Sequence, residues 1–140
     1  MIVADTSVIY ALIDRSDRLH HRAAAWYRKV DEELATTPLV LAETDHLVSE
    51  RAGHPAVRAF RQDVAAGAYL VEWWPSAAAE SAEIAERYED LRLGLTDASL
   101  VALASRLETT RLATFDERHF RTVRPLRGTD SFTLLPIDAD

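Results

Sequence analysis

The sequence predicts a layered α/β fold built on a mainly parallel β-sheet. Five short apolar segments alternate with helical segments along the chain, in the order β-α-α-β-α-α-β-α-α-β-(short helix)-β. Strands that alternate with helices in this way form parallel sheets covered by their connecting helices. The 140 residues contain no glycine- or serine-rich linker and no repeat, so we expect a single domain over 1–140.

The first quarter of the chain gives one strand and two helices. Residues 2–4 are short and apolar, as a fully buried strand is. Residues 5–7, Asp-Thr-Ser, offer helix-capping side chains, and apolar residues at helical spacing follow over 8–13. A polar stretch then leads into a second helix, expected from about His21 to Leu34.

The second quarter gives another strand followed by two helices. Residues 37–40 are a strand candidate, in which Pro38 would have to lie at the start of the strand or on an edge. A helix over 42–51 ends near Gly53, and another runs from His54 through Ala66.

The second half repeats the alternation. Residues 69–73 and 112–115 are predicted strands, and 132–135 form the last one. Between them, the alanine-rich stretch 77–91 predicts a helix, and Thr96 is expected to cap the next.

Composition excludes several classes of protein. Without cysteine, the chain cannot form disulfides, zinc–thiolate sites or a catalytic thiol. The N-terminus has no basic region before its apolar residues, and no apolar run approaches membrane-spanning length, so we expect no membrane association and a cytoplasmic location. The formal charge of -7 argues, as an average over the chain, against a nucleic-acid partner.

Four acidic residues point to a site. Asp5 and Asp116 each follow a short apolar strand, Asp97 lies in the first turn of a helix, and Glu43 follows the second predicted strand. Binding sites of parallel α/β sheets lie outside the carboxyl ends of their strands, where these residues are expected to converge. Each acid alone could simply cap a turn or a helix. All four at one edge favour a divalent metal, because clustered carboxylates repel one another unless a cation neutralises them.

The same residues carry a resemblance to a known family. The segments Ile-Val-Ala-Asp-Thr-Ser at 2–7, Gly-Leu-Thr-Asp-Ala-Ser at 94–99 and Ala-Thr-Phe-Asp-Glu-Arg-His-Phe at 113–120, with Glu43 between the first two, resemble the PIN domain over essentially the whole chain. More narrowly, they resemble the toxins of VapBC-type toxin–antitoxin pairs. The resemblance implies a three-layer α/β/α fold with about five strands.

The resemblance also implies a function. It maps the family's catalytic acids onto Asp5, Glu43, Asp97 and Asp116, and it implies an endoribonuclease that uses Mg²⁺, or Mn²⁺ in its place. Asp5, Asp97 and Asp116 are the expected metal ligands. A cognate antitoxin, an RNA substrate and a homodimer are the partners that the resemblance implies.

Five further residues are candidates for supporting roles. Thr6, Ser7 and Thr114 lie beside the predicted acids and could orient a carboxylate or a water molecule, although helix capping is an alternative for the first two. Arg118 and Arg121 belong to an acid-free, arginine-rich stretch over 118–127 that could hold an RNA backbone, or could be a solvated loop.

Three alternatives are weighed against the nuclease. A phospho-signalling receiver has similar length and acids but needs a lysine at a strand end, whereas Lys29, the only lysine, falls in a predicted helix. A haloacid-dehalogenase-type phosphatase needs a second aspartate where Ser7 stands. A non-catalytic interaction module, with the acids as caps, would show no metal-dependent cleavage.

Overall fold

A computed structural model of the chain describes residues 1–139 and confirms the α/β fold. Its sheet has five strands in the order β3-β2-β1-β4-β5, and every neighbouring pair is parallel. The strands are β1 (Ile2–Ala4), β2 (Leu34–Thr36), β3 (Leu70–Val71), β4 (Arg111–Thr114) and β5 (Thr133–Pro136).

Seven α-helices lie within residues 1–139 and connect the strands. None of the helices in this part of the chain has both the length and the apolar character needed to cross a membrane. The helices are α1 (Thr6–Ile13), α2 (His20–Tyr27), α3 (Pro38–Arg51), α4 (His54–Ala65), α5 (Ala77–Arg87), α6 (Leu95–Arg106) and α7 (Glu117–Phe120), with a 3₁₀ turn at Glu89–Leu91.

The helices cover the two faces of the sheet. The connections from β1 to β2 and from β2 to β3 run one way along the sheet, and those from β3 to β4 and from β4 to β5 run the other way. Because such crossovers are right-handed, the two sets of helices lie on opposite faces. Accordingly, α1 packs on α2 and α3, and α3 on α4, while α5 packs on α6. The result is the expected α/β/α layering.

Two predicted elements around β2 were wrong. The helix expected to reach Leu34 ends at Tyr27, and the strand expected at 37–40 is instead the start of α3. The Thr37 hydroxyl caps α3 by accepting a hydrogen bond from the Val40 amide at 3.5 Å. Pro38 occupies the first helical position, where a missing amide hydrogen costs nothing. Glu43 therefore lies in the second turn of α3, rather than in the first.

Smaller differences concern the ends of the later helices. The N-cap of α6 is Gly94 and not Thr96, which lies inside the helix. Similarly, α5 ends at Arg87, and the rest of the predicted helix forms the separate 3₁₀ turn. A left-handed residue, Arg92 (φ 56°), ends that turn and redirects the chain towards α6.

The central strands lie in the core. All three residues of β1 are buried, as are residues 112–114 of β4, because the sheet has a helical layer on both faces. Val8 and Ile9 of α1 and Leu100 and Leu103 of α6 are fully buried around them. The carboxyl ends of β1 and β4 are therefore held rigidly by the core. The residues that directly follow these strands are fixed in position as a result.

Candidate active site

A cavity of about 420 Å³ opens at the carboxyl edge of the sheet. It lies where the chain leaves β1 towards β2 and leaves β4 towards β5, in opposite directions, which is the usual ligand position in an open α/β sheet. The structure brings all four predicted acids, Asp5, Glu43, Asp97 and Asp116, to the walls of this one cavity.

Asp5 is the buried member of the four. It follows β1 as the N-cap of α1 and is 5% exposed. The Thr6 amide donates to Oδ1 at 2.7 Å, and the Ser7 and Thr114 hydroxyls donate to Oδ2 at 2.9 and 2.7 Å. These three hydrogen bonds fix the orientation of the carboxylate at the junction of β1 and β4.

Ser7 and Thr114 also join the two strand ends to each other. The Ser7 hydroxyl accepts a hydrogen bond from the Phe115 amide at 2.9 Å, and the Thr114 hydroxyl accepts one from the Asp116 amide at 2.9 Å. The hydroxyls that orient Asp5 therefore also set the direction of the chain towards Asp116. In contrast, the Thr6 hydroxyl is buried and lacks a hydrogen-bond partner among the described residues.

Asp97 enters the cavity from the third position of α6, where the helix N-terminus favours an acidic side chain. The α6 and α3 N-termini are linked by a buried hydrogen bond of 2.9 Å between the Ser99 and Thr37 hydroxyls. This contact sets Asp97 relative to α3, which carries the exposed Glu43 one turn beyond its cap.

Asp116 and His119 form a unit around the short helix α7. Asp116 caps α7 by accepting a hydrogen bond from the His119 amide at 3.1 Å. The Nδ1 atom of His119 lies 2.9 Å from Asp116 Oδ2 and 3.2 Å from Asp97 Oδ2. The Nδ1 atom is therefore within hydrogen-bonding distance of both side chains.

Mutual repulsion and burial disfavour the charged state of these acids. Burial raises the pKa of Asp5, and the nearby charge of Asp116 adds to the effect. Burial, reinforced by the charges of Asp5 and Asp116, raises the pKa of Asp97 to about 7. A bound cation would offset the repulsion and the desolvation of these carboxylates, so cation binding is favourable at a site of this kind.

The donor set suits a divalent metal ion. One atom each from Asp97, Asp116 and His119 lies within 4.8 Å of the other two, and Asp5 approaches the same cavity from the end of β1. Carboxylate oxygens suit Mg²⁺ or Mn²⁺, and an imidazole nitrogen suits Mn²⁺ better than Mg²⁺. The unpartnered Thr6 hydroxyl at the cavity wall adds a polar group that a hydrated ion could satisfy.

The predicted arginines lie elsewhere. Arg121 donates to both carboxylate oxygens of Asp138, at 2.6 and 2.9 Å, and to Glu117 at 3.3 Å, so the structure does not bring it to the cavity. Arg127 contacts Ser105 and Glu108. Arg118 is exposed on α7, beside Asp116 in sequence but not on the cavity wall.

Two side chains at the site were missed by the sequence-based prediction. His119 was considered only as part of the basic stretch and of the segment 113–120 that resembles the family, and not as a site residue, although the Asp-x-x-His spacing of a cap and its first turn was visible. Arg51 lines the cavity two turns beyond Glu43 on α3, at a four-residue spacing shared with Leu47. That spacing lies inside the helix predicted over 42–51, so it could have been found from the sequence.

Comparisons with known proteins agree with this geometry. A family model described as the PIN domain matches residues 2–125. The chain belongs to the PIN-domain family. Ribonuclease VapC26 of Mycobacterium tuberculosis is 34% identical over 136 residues, which cover 96% of this chain and 100% of that protein. This PIN domain is therefore of the VapC type, which confirms the resemblance seen in the sequence.

Solved structures show the same fold for this PIN domain. The crystal structure of Mycobacterium tuberculosis VapC20, described as a Sarcin-Ricin loop cleaving toxin, has a TM-score of 0.80 at 23% identity, covering 91% of this chain and 100% of that one. FitAcB from Neisseria gonorrhoeae has a TM-score of 0.60 at 22% identity, covering 84% and 88%.

Proposed function

We propose that the chain is a Mg²⁺-dependent endoribonuclease that acts as the toxin of a type II toxin–antitoxin pair. The observation that carries this proposal is the convergence of four acids on one cavity at the carboxyl edge of the sheet. The VapC26 relative, which is named a ribonuclease, supports RNA as the substrate. We expect the protein to act in the cytoplasm.

The metal ligands in this proposal are Asp5, Asp97 and Asp116. A bound divalent ion supplies Lewis-acid chemistry, which lowers the pKa of water and stabilises charge on a phosphodiester. The Ser7 and Thr114 hydroxyls hold the Asp5 carboxylate in one orientation, so no reorganisation is needed when the substrate arrives. Glu43, exposed on the cavity wall, helps to position the attacking water.

His119 has a positioning role in the same proposal. Its Nδ1 atom lies within hydrogen-bonding distance of both Asp97 and Asp116, which come from different elements of the fold. In the absence of an ion, this contact keeps the two carboxylates together despite their repulsion. Arg118, exposed on the same helix, is a candidate contact for the RNA backbone outside the cavity.

Cleavage of RNA tests the function directly. We expect the wild-type chain to cleave RNA with Mg²⁺ and to lose this activity in EDTA. The Asp5→Asn and Asp97→Asn variants should lack the activity even with Mg²⁺. Asp90→Asn is the matched control, because Asp90 is an exposed acid of the 3₁₀ turn outside the cavity. Cleavage that is equal under all these conditions would exclude the metal mechanism and favour the non-catalytic module.

The phospho-signalling alternative loses support from the position of Lys29. This lysine lies beyond α2, beside a separate cavity that also contains Arg111 and Thr133 at the beginnings of β4 and β5. It is therefore at the opposite edge of the sheet from Asp5.

The antitoxin and the homodimer are further parts of the proposal. If an antitoxin is encoded beside this chain, co-expression with it should yield a complex that purifies together and no longer cleaves RNA. Light scattering of the complex and of the free chain measures whether each contains two copies. Cleavage undiminished by the co-purifying protein would contradict the antitoxin part alone.

A further inference from the structure

The part of the cavity away from the metal ligands has a different chemistry. Three leucines, Leu19, Leu47 and Leu95, line the cavity together with the acids. Arg51 is the only cation on this wall, and it forms no salt bridge with a carboxylate of residues 1–139. An unpaired guanidinium in a cavity lined by acids and leucines is suited to bind an anionic group of a ligand.

Arg51 is held in place by an aromatic ring. Its guanidinium carbon lies 6.0 Å from the centroid of the Tyr10 ring, within the range of a cation–π contact. Tyr10 is itself fixed, because it is 8% exposed and its hydroxyl donates to Asp14 Oδ2 at 2.5 Å. The Ser16 amide and hydroxyl in turn hold Asp14, at 3.0 and 2.7 Å. The ring that Arg51 contacts is therefore fixed in position, although Arg51 itself is exposed.

The spacing along α3 separates Arg51 from Glu43, the acid that the same helix brings to the cavity. Glu43, Leu47 and Arg51 follow one another at four-residue intervals and share one face of the helix. Eight residues correspond to about 12 Å along the helix axis. A phosphate bound by Arg51 would therefore lie about two helical turns along α3 from Glu43.

Leu95 adds an apolar surface to the wall of the same cavity. It begins α6, two residues before Asp97, and is 54% exposed although it is a large apolar side chain. Leu47 lines the same cavity from α3, between Glu43 and Arg51. Apolar side chains of this kind contact the faces of nucleobases in proteins that bind single nucleotides.

From these observations we propose a nucleotide subsite in this cavity. Arg51 binds the phosphate of a nucleotide next to the one that is cleaved, and Leu47 and Leu95 contact the base of that nucleotide. The subsite takes single-stranded RNA, since a paired base would not be free to contact the leucines. The inference rests on the proposed function for its substrate class, but not on cleavage.

The test measures RNA binding in the Asp97→Asn background, where the proposed function expects no cleavage. The probe is a short, fluorescein-labelled single-stranded RNA of mixed sequence, followed by fluorescence anisotropy. Adding Arg51→Gln should weaken binding roughly tenfold, as loss of a charged hydrogen bond does. The dependence of log affinity on log salt should become shallower by about 0.7, the value for one phosphate on a single strand. Arg58→Gln, an exposed arginine of α4 outside the cavity, is the control.

The base contact is tested with a second pair of variants. Leu95→Asn should weaken binding of the RNA roughly fivefold, because less apolar area is buried between the side chain and the base. Binding of an abasic version of the same RNA should be unchanged. Leu126→Asn is the matched control, because Leu126 is also a large exposed leucine, at 43%, but lies outside the cavity.

Each outcome decides one of the two proposals. Equal binding by the Arg51→Gln and Arg58→Gln variants, or no RNA binding at all in this background, overturns the subsite. If the Arg51 effect is found but the wild-type chain cleaves no RNA, the subsite stands and the nuclease function fails. Measurement of the melting temperature of each variant separates loss of binding from loss of folding.

Discussion

Replacement of Asp97 by asparagine should stabilise the metal-free protein while it abolishes cleavage. Burial and the charges of Asp5 and Asp116 raise the pKa of Asp97 from 3.8 to about 7. Above pH 4 the carboxylate is ionised in the unfolded chain at no cost. In the folded state the ionised form is disfavoured, so ionisation lowers the free energy of unfolding. Asparagine keeps the shape of the side chain and can still accept a hydrogen bond from His119, but it carries no charge.

The magnitude follows from the pKa shift. About three pKa units, each worth about 1.4 kcal/mol, give a ceiling of about 4 kcal/mol at pH 8. Asp97 is 21% exposed, and asparagine loses about 0.5 kcal/mol of favourable interaction with the α6 N-terminus. Solvent screening and this loss reduce the expected gain to about 2 kcal/mol, which raises the melting temperature by roughly 5–10 °C in a chain of this size.

The pH dependence gives the sharper test. A folded-state pKa above the unfolded one means that the wild-type chain loses stability as the pH rises from about 4 to about 7. The advantage of Asp97→Asn should therefore be full at pH 8 and small at pH 4. Thermal or urea unfolding in EDTA, at several pH values, measures it, with Asp90→Asn as the exposed control.

Addition of Mg²⁺ completes the experiment. An ion that binds only the folded state raises the melting temperature with its concentration, so the wild-type chain should gain stability and the Asp97→Asn variant should gain far less. The reasoning is refuted if Asp97→Asn is no more stable than wild type at pH 8 in EDTA, or if its advantage does not change with pH.

Three other substitutions should report on the framework of the site. Thr114→Val removes the hydroxyl shared by Asp5 and the Asp116 amide, and should cost about 1–3 kcal/mol in urea unfolding and slow single-turnover cleavage. Tyr10→Phe should cost about 2 kcal/mol at pH 7. Because the Tyr10 hydroxyl lowers the pKa of Asp14, that difference should persist above pH 4 and vanish as the pH falls through the lowered pKa. Phe120→Ala should cost about 3–5 kcal/mol, since Phe120 is 1% exposed and packs edge-to-face on Phe132.

Most of the fold could be predicted because its strands are short and strongly apolar. The residues of β1 and β4 predict buried strands from their own sequence alone. An acidic residue follows shortly after the end of each strand. The region around β2 could not be predicted as well, since Leu34-Ala35-Thr36 is shorter than a helical turn and adjoins a helix-compatible stretch. Only the sheet contacts of β2, parallel to β1 on one side and to β3 on the other, distinguish it from the end of a helix.

The basic stretch illustrates where local charge misleads. Arg121 is close in sequence to Asp116, and the stretch that contains it was predicted either to hold an RNA backbone or to be a solvated loop. In the fold, Asp138 lies near α7 after β5 and pairs with Arg121 through two hydrogen bonds. The cation that does line the cavity, Arg51, is 65 residues from Asp116 in sequence, and only its helical spacing from Glu43 and Leu47 connects it to the site.

The sequence by itself determined the class of the fold and which acids would meet. Parallel strands place their carboxyl ends at one edge, so an acid after β1 and an acid after β4 share that edge once the alternation of strands and helices is known. Tertiary structure alone decided the strand order, which makes β1 and β4 neighbours, and the contacts of His119 and Arg51. The strand order and these contacts depend on distances between elements that are far apart in the chain. Local sequence does not encode such distances, so it cannot predict which side chains form a hydrogen bond or line a cavity together.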